Sequence, residues 1–430
     1  MYRSMRMDVV EIKPLDRSPD ARLVIPGSKS YTQRALIAAS LAEGVSVLEG
    51  ALLSEDTVHL IDALRFVGTD ILIRDDKIII RGTGGRIGGS GRVIQLGNNG
   101  TAMRFLIGLV SLSSGTYVLT GDQRLCERPV GQLLEALKTM GVDARSLNGS
   151  DCPPVEIKAN GLRGGNVTLQ DIESSQFVSS LLLCAPYGRQ DAMIELTGAV
   201  PSLPYIDMTM EVMHSFGVEA EHTGSNRYVV KSGQKYQAKQ YIVEGDASSA
   251  SYFFLVVALC GGRVRIENIS PRTLQGDIRM LDIMEKLGCT VSRGDDWVRM
   301  AGQPLLQGLF TFDLKDIPDM VPTLAILAAV RPGRTVIENV SHLRLKESDR
   351  LAAITTELRR TGVQVENKED GLIIEGGKPH GAEIETYDDH RIAMSFAALG
   401  LAVPGMRIRN PGCVAKSFPG FWGVLEKLRR

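Results

Sequence analysis

Several cationic and hydroxylic side chains of this sequence stand at predicted helix starts, where they could hold anions. The segment PGSKSYTQRAL places Lys29, Ser30 and Arg34 around one such start, so that both cations could reach a single anion beside the positive end of the helix dipole. LGNNGTAMRF repeats the design with Asn98, Gly100, Thr101 and Arg104, and Gly100 would let a ligand approach the backbone closely. Arg128 in CERPVGQ precedes Pro129, a residue suited to the first helical position, so its planar fork would stand at another helix entrance and suit a carboxylate. LKESDR adds Lys346, Glu347 and Arg350, with Glu347 and Arg350 spaced as an i,i+3 pair on a helix. Taken singly, these residues also read as solvated charge, ordinary N-caps and a local salt bridge. Nucleotide-binding loops do not fit. Ser28 precedes Lys29 where a Walker loop needs glycine, and Ile87 stands where the third glycine of a Rossmann fingerprint would follow Gly82 and Gly84.

The elements that carry these residues repeat. Glycine-led strand starts at Gly44, Gly115, Gly262, Gly333 and Gly405 recur about every 70 residues, with one double interval between Gly115 and Gly262. AMIELTGAVPS, starting near Ala192, fills that interval and makes six copies. Most copies continue into an amphipathic helix closed by glycine, as in DTVHLIDALRFVG and PVGQLLEALKTMG, with apolar residues at i, i+3, i+4 and i+7. Before each strand lies a second helix with a polar or small first turn and an apolar body. These are SKSYTQRALIAASLA, NNGTAMRFLIGLVSL, ESSQFVSSLLLCAP, DASSASYFFLVVALC, DIPDMVPTLAILAAV and DDHRIAMSFAALGLA. Helices this apolar belong in an interior. The repeat is longer than the roughly 20 to 50 residues of solenoid units, so three units in each of two domains fit better than a rod.

Composition agrees with this. At 430 residues the chain exceeds what one core usually supports, which gives a prior of two domains of roughly 200 residues. With 49 Lys+Arg against 50 Asp+Glu there is no global basic field for nucleic acid, so any positive site is local. Cys126, Cys152, Cys184, Cys260, Cys289 and Cys413 lie far apart, with no CxxC pair for zinc or redox chemistry, which points to a reduced cytoplasmic protein. The opening MYRSMRMDVVEIKPLDRS has no apolar h-region, and no apolar run approaches the roughly 18 residues of a membrane span.

PGSKSYTQRAL, LGNNGTAMRF, ERPVG, SSQFVSSLLLCAP, GDASSASYFF, LKESDRL and DDHRIAM, in this order and over nearly the whole chain, resemble the 5-enolpyruvylshikimate-3-phosphate synthase family. The resemblance implies an α/β fold of two inside-out α/β barrel domains, each of three βαβαββ repeats with buried helices. Residues 1–25 with 244–430 would form one domain and 26–243 the other, closing over substrate in an interdomain cleft. It implies transfer of the enolpyruvyl group of phosphoenolpyruvate to the 5-hydroxyl of shikimate 3-phosphate, without metal or other cofactor, by a monomer.

The same resemblance implies residue roles. Lys29, Ser30, Arg34, Ser174, Ser175, Gln176, Ser202, Tyr205, Asp319, His342 and Lys346 match positions that bind shikimate 3-phosphate. Lys29, Asn98, Gly100, Arg128, Gln176, Arg350, His390, Arg391 and Lys416 match positions that bind phosphoenolpyruvate. Lys29, Asp319 and Glu347 are the catalytic candidates. Attack of an alcohol on C2 of phosphoenolpyruvate needs a proton delivered to C3 and one removed from the hydroxyl, so an acid and a base are both required. Two highly anionic substrates need several cations. Phe105, Leu203 and His342 depart from the pattern, standing where proline, lysine and asparagine are common. With Asn99, Phe105 leaves glyphosate sensitivity open. The related transferase acting on UDP-N-acetylglucosamine usually carries a cysteine five residues before the arginine of its RPV motif, whereas Cys126 stands two before Arg128. A non-catalytic anion-binding homologue would not need Lys29, Asp319 and Glu347 together.

Overall fold

In the computed structural model, which describes residues 8–224 and 226–429, all six repeat segments contain a strand. The first seven residues of the opening segment read above lie outside the described residues. The six strands are Glu43–Glu49, Ser114–Thr120, Ala192–Thr197, Arg263–Ile266, Gly333–Glu338 and Met406–Arg409, and each belongs to a different small sheet. Each pairs in parallel with one neighbour and antiparallel with another. Val93–Gln95, for instance, lies parallel to Ser114–Thr120 in the register Val93↔Val118, and Val155–Asn160 lies antiparallel on the other side. A parallel pair needs a crossover, and the helix Gly100–Val110 supplies it here.

Sequence dictates where those helices go. Lys29–Leu41, Gly100–Val110 and Ser175–Cys184 pack on one another inside one unit, Gly27–Glu244. Ala247–Cys260, Val321–Val330 and His390–Gly400 do the same in the other, which comprises the chain up to Pro26 and from Gly245 on. Val321–Val330 has no charged residue and buries VPTLAILAA, as a helix apolar all round must. The amphipathic helices are Glu55–Phe66, Gly131–Thr139, Pro204–Ser215, Met280–Lys286 and Arg350–Arg360. Their closing glycines all take positive φ, for example 105° at Gly68 and 111° at Gly288, where a Cβ would be strained.

Burying a helix leaves its end groups without water. At the C-terminus of Val321–Val330, Arg331 is fully buried and donates to the carbonyls of Leu306, Gly308, Pro332 and Arg334 and to the Thr335 hydroxyl. A cation there satisfies acceptors that solvent cannot reach and complements the negative helix end.

Three strands join sheets remote in sequence. Gln240–Ile242 completes the sheet of Glu43–Glu49, and Asp20–Leu23 completes that of Arg263–Ile266. Val9–Ile12 is the antiparallel neighbour of Met406–Arg409. Among the described residues no helix is long and apolar enough to cross a membrane, and no group of three or more His, Cys, Asp or Glu could hold a metal ion.

Candidate functional site

In the unit Gly27–Glu244 the first turns of the three interior helices are tied to one another. Asn99 caps Gly100–Val110 by accepting from the Ala102 N–H, and its amide donates to Gln33 Oε1 at 3.0 Å and to the Asp56 carbonyl. Gln176 donates to Thr101 Oγ1 at 3.0 Å and accepts from Arg104 Nη1 at 3.2 Å. Three positive helix ends therefore gather at one place, as an anion site requires.

Lys29 and Arg34 are not directed at the same partner. Lys29 Nζ lies 3.0 Å from Asp56 Oδ2, a carboxylate in the first turn of Glu55–Phe66. Arg34 is fully buried and spreads its fork over Thr209 Oγ1 at 2.7 Å, the Ser30 carbonyl at 3.0 Å, Ser179 Oγ at 3.3 Å and the Tyr205 carbonyl at 3.0 Å. Those bonds take four of its five N–H donors. Burial lowers its pKa to about 10, which still leaves it charged at neutral pH. Arg34 thus fixes the mutual placement of Ser30, Tyr205 and the Ser175–Cys184 helix. The departure at Phe105 bears on this, since its buried ring lies 5.4 Å from the Arg34 guanidinium, opposite no polar partner of its own. Leu203 packs partly against the core.

Gly100 brings two arginines close to its backbone. A Cβ there would fall 2.3 Å from Arg104 Nη1 and 2.6 Å from the Arg128 guanidinium, so the missing side chain lets both arginines reach the helix start. Arg128 is buried, but Pro129 is not a first helical residue, because the helix begins at Gly131 with Val130 as its cap. Gly100→Ala should displace both flexible fork ends with little effect on the fold. The expected result is a roughly tenfold rise in KM for an anionic substrate, the scale of one charge-assisted hydrogen bond, at an unchanged melting temperature. An unchanged KM would show that neither arginine depends on the space.

Ser174 caps the helix Ser175–Cys184, whose first turn carries Ser175 and Gln176. Ser202 is held at φ 61°, a left-handed conformation uncommon for serine, and its carbonyl accepts from the Tyr205 N–H. Asn98 is half-buried just before the cap Asn99.

The other unit gathers a denser charge cluster. Arg350, 1% exposed, donates through Nε to Asp389 Oδ2 at 2.8 Å, through Nη1 to Asp319 Oδ1 at 2.8 Å and through Nη2 to Glu347 Oε2 at 2.7 Å. Asp319 is shared, its Oδ2 lying 2.6 Å from Arg391 Nη2. Arg391 also donates to Tyr252 Oη and Ser248 Oγ, so the first turns of Ala247–Cys260 and His390–Gly400 meet the turn Pro318–Met320 that opens Val321–Val330. Burial alone would push Asp319 up, but Arg391, Arg350 and Lys346 hold its carboxyl well below the usual range. It is a fixed carboxylate. Asp277 goes the other way. Buried behind Ser248, to which it is hydrogen-bonded, and facing Asp319, it is pushed up to about 7.

Glu347 and Arg350 are paired, but not on a helix. The helix starts at Arg350, capped by Asp349, and Glu347 sits in the preceding loop. Arg344 ties that loop down through Asp349, Asn367 and the carbonyls of Lys368 and Glu369. Burial, with Lys346 nearby, lowers His342 to about 3, so the imidazole is neutral. His390 is fully buried beside Asp389, and Lys416 is buried at the end of the turn Pro411–Lys416.

The sequence reading did not single out Asp56, Asp389, Ser248, Tyr252 or Asp277. Asp389 alone carried a usable signal, as the acidic residue directly before HRIAM at a predicted helix start.

Comparisons with known proteins bear on what these clusters serve. Residues 17–425 match the family model described as EPSP synthase (3-phosphoshikimate 1-carboxyvinyltransferase). The chain is 45% identical over 418 residues to the 3-phosphoshikimate 1-carboxyvinyltransferase of Nostoc punctiforme, covering 97% of this chain and 98% of the relative. It is 44% identical to that of Methanoculleus marisnigri, covering 94% and 96%. A solved structure of EPSP synthase from Acinetobacter baumannii superposes with a TM-score of 0.81 at 28% identity, covering 98% of each chain.

Proposed function

The chain belongs to the EPSP synthase family, and we propose that it transfers the enolpyruvyl group of phosphoenolpyruvate to the 5-hydroxyl of shikimate 3-phosphate through the two clusters described above. The observation that carries this reading is Asp319. Its carboxylate is locked between Arg350 and Arg391 at the positive ends of interior helices, where an anion trap and a proton acceptor are needed together.

Asp319, held ionised, accepts a proton and has none to give. The reading therefore gives it the proton of the attacking hydroxyl, leaving delivery to C3 to Glu347 or Lys29. As the new C–O bond forms at C2, C3 gains a proton. Loss of phosphate from the tetrahedral adduct then returns that proton and restores the double bond. The cations assigned to the two anionic substrates are Arg350, Arg391, Lys346, Lys416, Lys29, Arg104 and Arg128. Anions bound to Arg350 and Arg391 weaken the pull of these cations on Asp319, so occupation of the site itself makes the carboxylate a better base. Ser30, Ser174, Ser175, Gln176, Ser202, Tyr205 and His342 are assigned to the hydroxyls and phosphate of shikimate 3-phosphate, with Arg34 as their scaffold. The near-neutral formal charge of -1 offers no basic field for nucleic acid, and the reading takes the chain as a cytoplasmic, monomeric small-molecule enzyme without a membrane partner.

Phosphate release from phosphoenolpyruvate, measured with shikimate 3-phosphate and separately with UDP-N-acetylglucosamine, tests the reading. Release with the first acceptor alone is expected. Release with the second alone would overturn the substrate assignment, and release with neither while both ligands bind would make the chain a non-catalytic anion binder.

A further inference from the structure

The turn leading into Asp389 is held in a conformation its residues do not favour. Tyr387 and Asp388 both lie in the left-handed region, at φ 54° and 55°. Two successive non-glycine residues there persist only where surrounding contacts over-determine them.

Those contacts come from the helix Arg350–Arg360. Glu357, about two turns along it from Arg350, has a fully buried carboxylate. Its Oε1 accepts from Tyr387 Oη at 2.8 Å, and its Oε2 accepts from the Glu385 N–H at 3.2 Å and lies 3.3 Å from Arg360. On the far flank Asn410 Nδ2 donates to Asp388 Oδ1 at 3.0 Å, and the Asp389 N–H closes the turn onto the Thr386 carbonyl. Directly after the turn, the Asp389 carboxylate receives Arg350, Ser348 Oγ and the Arg391 N–H. One helix thus grips both sides of the bend, through Arg350 at Asp389 and through Glu357 at Tyr387. Tyr387 is an exposed residue, 38% accessible overall, so it is not there to fill a core.

We propose that Glu357 and Tyr387 are positioning residues for the reaction: their hydrogen bond holds the left-handed pair Tyr387–Asp388 and so fixes the direction in which Asp389 presents Arg391 to phosphoenolpyruvate. The proposal rests on the assignment of Arg391 to that substrate made above.

Tyr387→Phe keeps the ring and removes only the hydroxyl. It should raise KM for phosphoenolpyruvate about tenfold, the scale of a hydrogen bond to a charged group, and leave kcat and KM for shikimate 3-phosphate unchanged. Amide exchange across residues 386–390 should quicken. Glu357→Gln should give the same split between the two KM values. Arg391→Lys serves as the reference and should raise KM for phosphoenolpyruvate by more than either. If both clamp variants lower the melting temperature without moving that KM, the pair is merely structural and the proposal fails. If Arg391→Lys moves it and Tyr387→Phe does not, the clamp alone is refuted. An Arg391→Lys enzyme with wild-type KM would remove the underlying assignment and the proposal with it.

Discussion

Glu347→Gln should lower kcat by about 10²-fold or more and leave both KM values close to wild type, the usual scale for loss of an acid–base group. Glutamine keeps the shape of the side chain and an oxygen for Arg350 Nη2, now 2.7 Å from Glu347 Oε2, but cannot carry the proton. The carboxyl is 11% exposed and lies in a loop pinned by Arg344, so the substitution should disturb little beyond its own chemistry. Steady-state rates of phosphate release, with thermal melting as a control for folding, decide the matter. Unchanged turnover would reduce Glu347 to an ion-pair partner of Arg350 and leave Lys29 as the donor to C3.

Arg350→Met has a different expected signature. One guanidinium pairs with Asp319, Glu347 and Asp389, and Asp389 has no exposed surface at all. Removing the cation leaves the buried Asp389 carboxylate without its guanidinium and Asp319 with only the guanidinium of Arg391, and breaking such a pair from one side typically costs about 3–5 kcal/mol. The sign with pH follows from Asp319. Its folded pKa is lowered by Arg391, Arg350 and Lys346, so the wild-type contribution to stability is present above the unfolded value and is lost as pH falls through the folded one. Without Arg350 that pKa rises and the contribution shrinks. The variant should therefore melt far below wild type at pH 7, and the gap should narrow on acidification as its carboxylates take up protons. Calorimetry at neutral and mildly acidic pH reads both effects. A variant melting with wild type at pH 7 would mean that the carboxylates find other partners.

The repeat architecture was legible in the sequence because its signals are local. A glycine before each strand, a glycine after each amphipathic helix and unbroken apolar helix bodies all report on backbone shape and burial within a few residues. The cationic half of the site was legible for the same reason, since Lys29, Arg128, Arg350 and Arg391 stand next to predicted helix starts. Part of its carboxylate half, beyond Asp319 and Glu347, was not. Asp56 belongs with Lys29, and Asp277 faces Asp319 and Arg391, only because distant helices meet, and nothing in the spacing selects these acids from the other acidic residues. Local ambiguity explains the smaller errors. A proline fits just outside a helix as well as at its first position, so Pro129 placed the helix start too early. An i,i+3 ion pair forms equally across a capped loop, so Glu347 met Arg350 without sharing its helix. Gly100 signalled a close approach correctly, but sequence could not say that the approaching groups were arginines.

The strands that join remote sheets also set a timetable for synthesis. The unit Gly27–Glu244 is continuous and closes on itself where Ser28 N–H meets the Glu244 carbonyl, so all of its partners have been made once residue 244 leaves the ribosome. The other unit must wait. Asp20 pairs with Arg263, 243 residues later, and Pro14 meets Arg429 across 415 residues. At about 5–20 residues per second, Asp20–Leu23 spends on the order of 12–50 s and Val9–Ile12 on the order of 20–80 s as an unpaired edge, the inserted unit being made meanwhile. Val9–Ile12 and Asp20–Leu23 are only four residues each, a length that limits what such an edge can recruit while it waits.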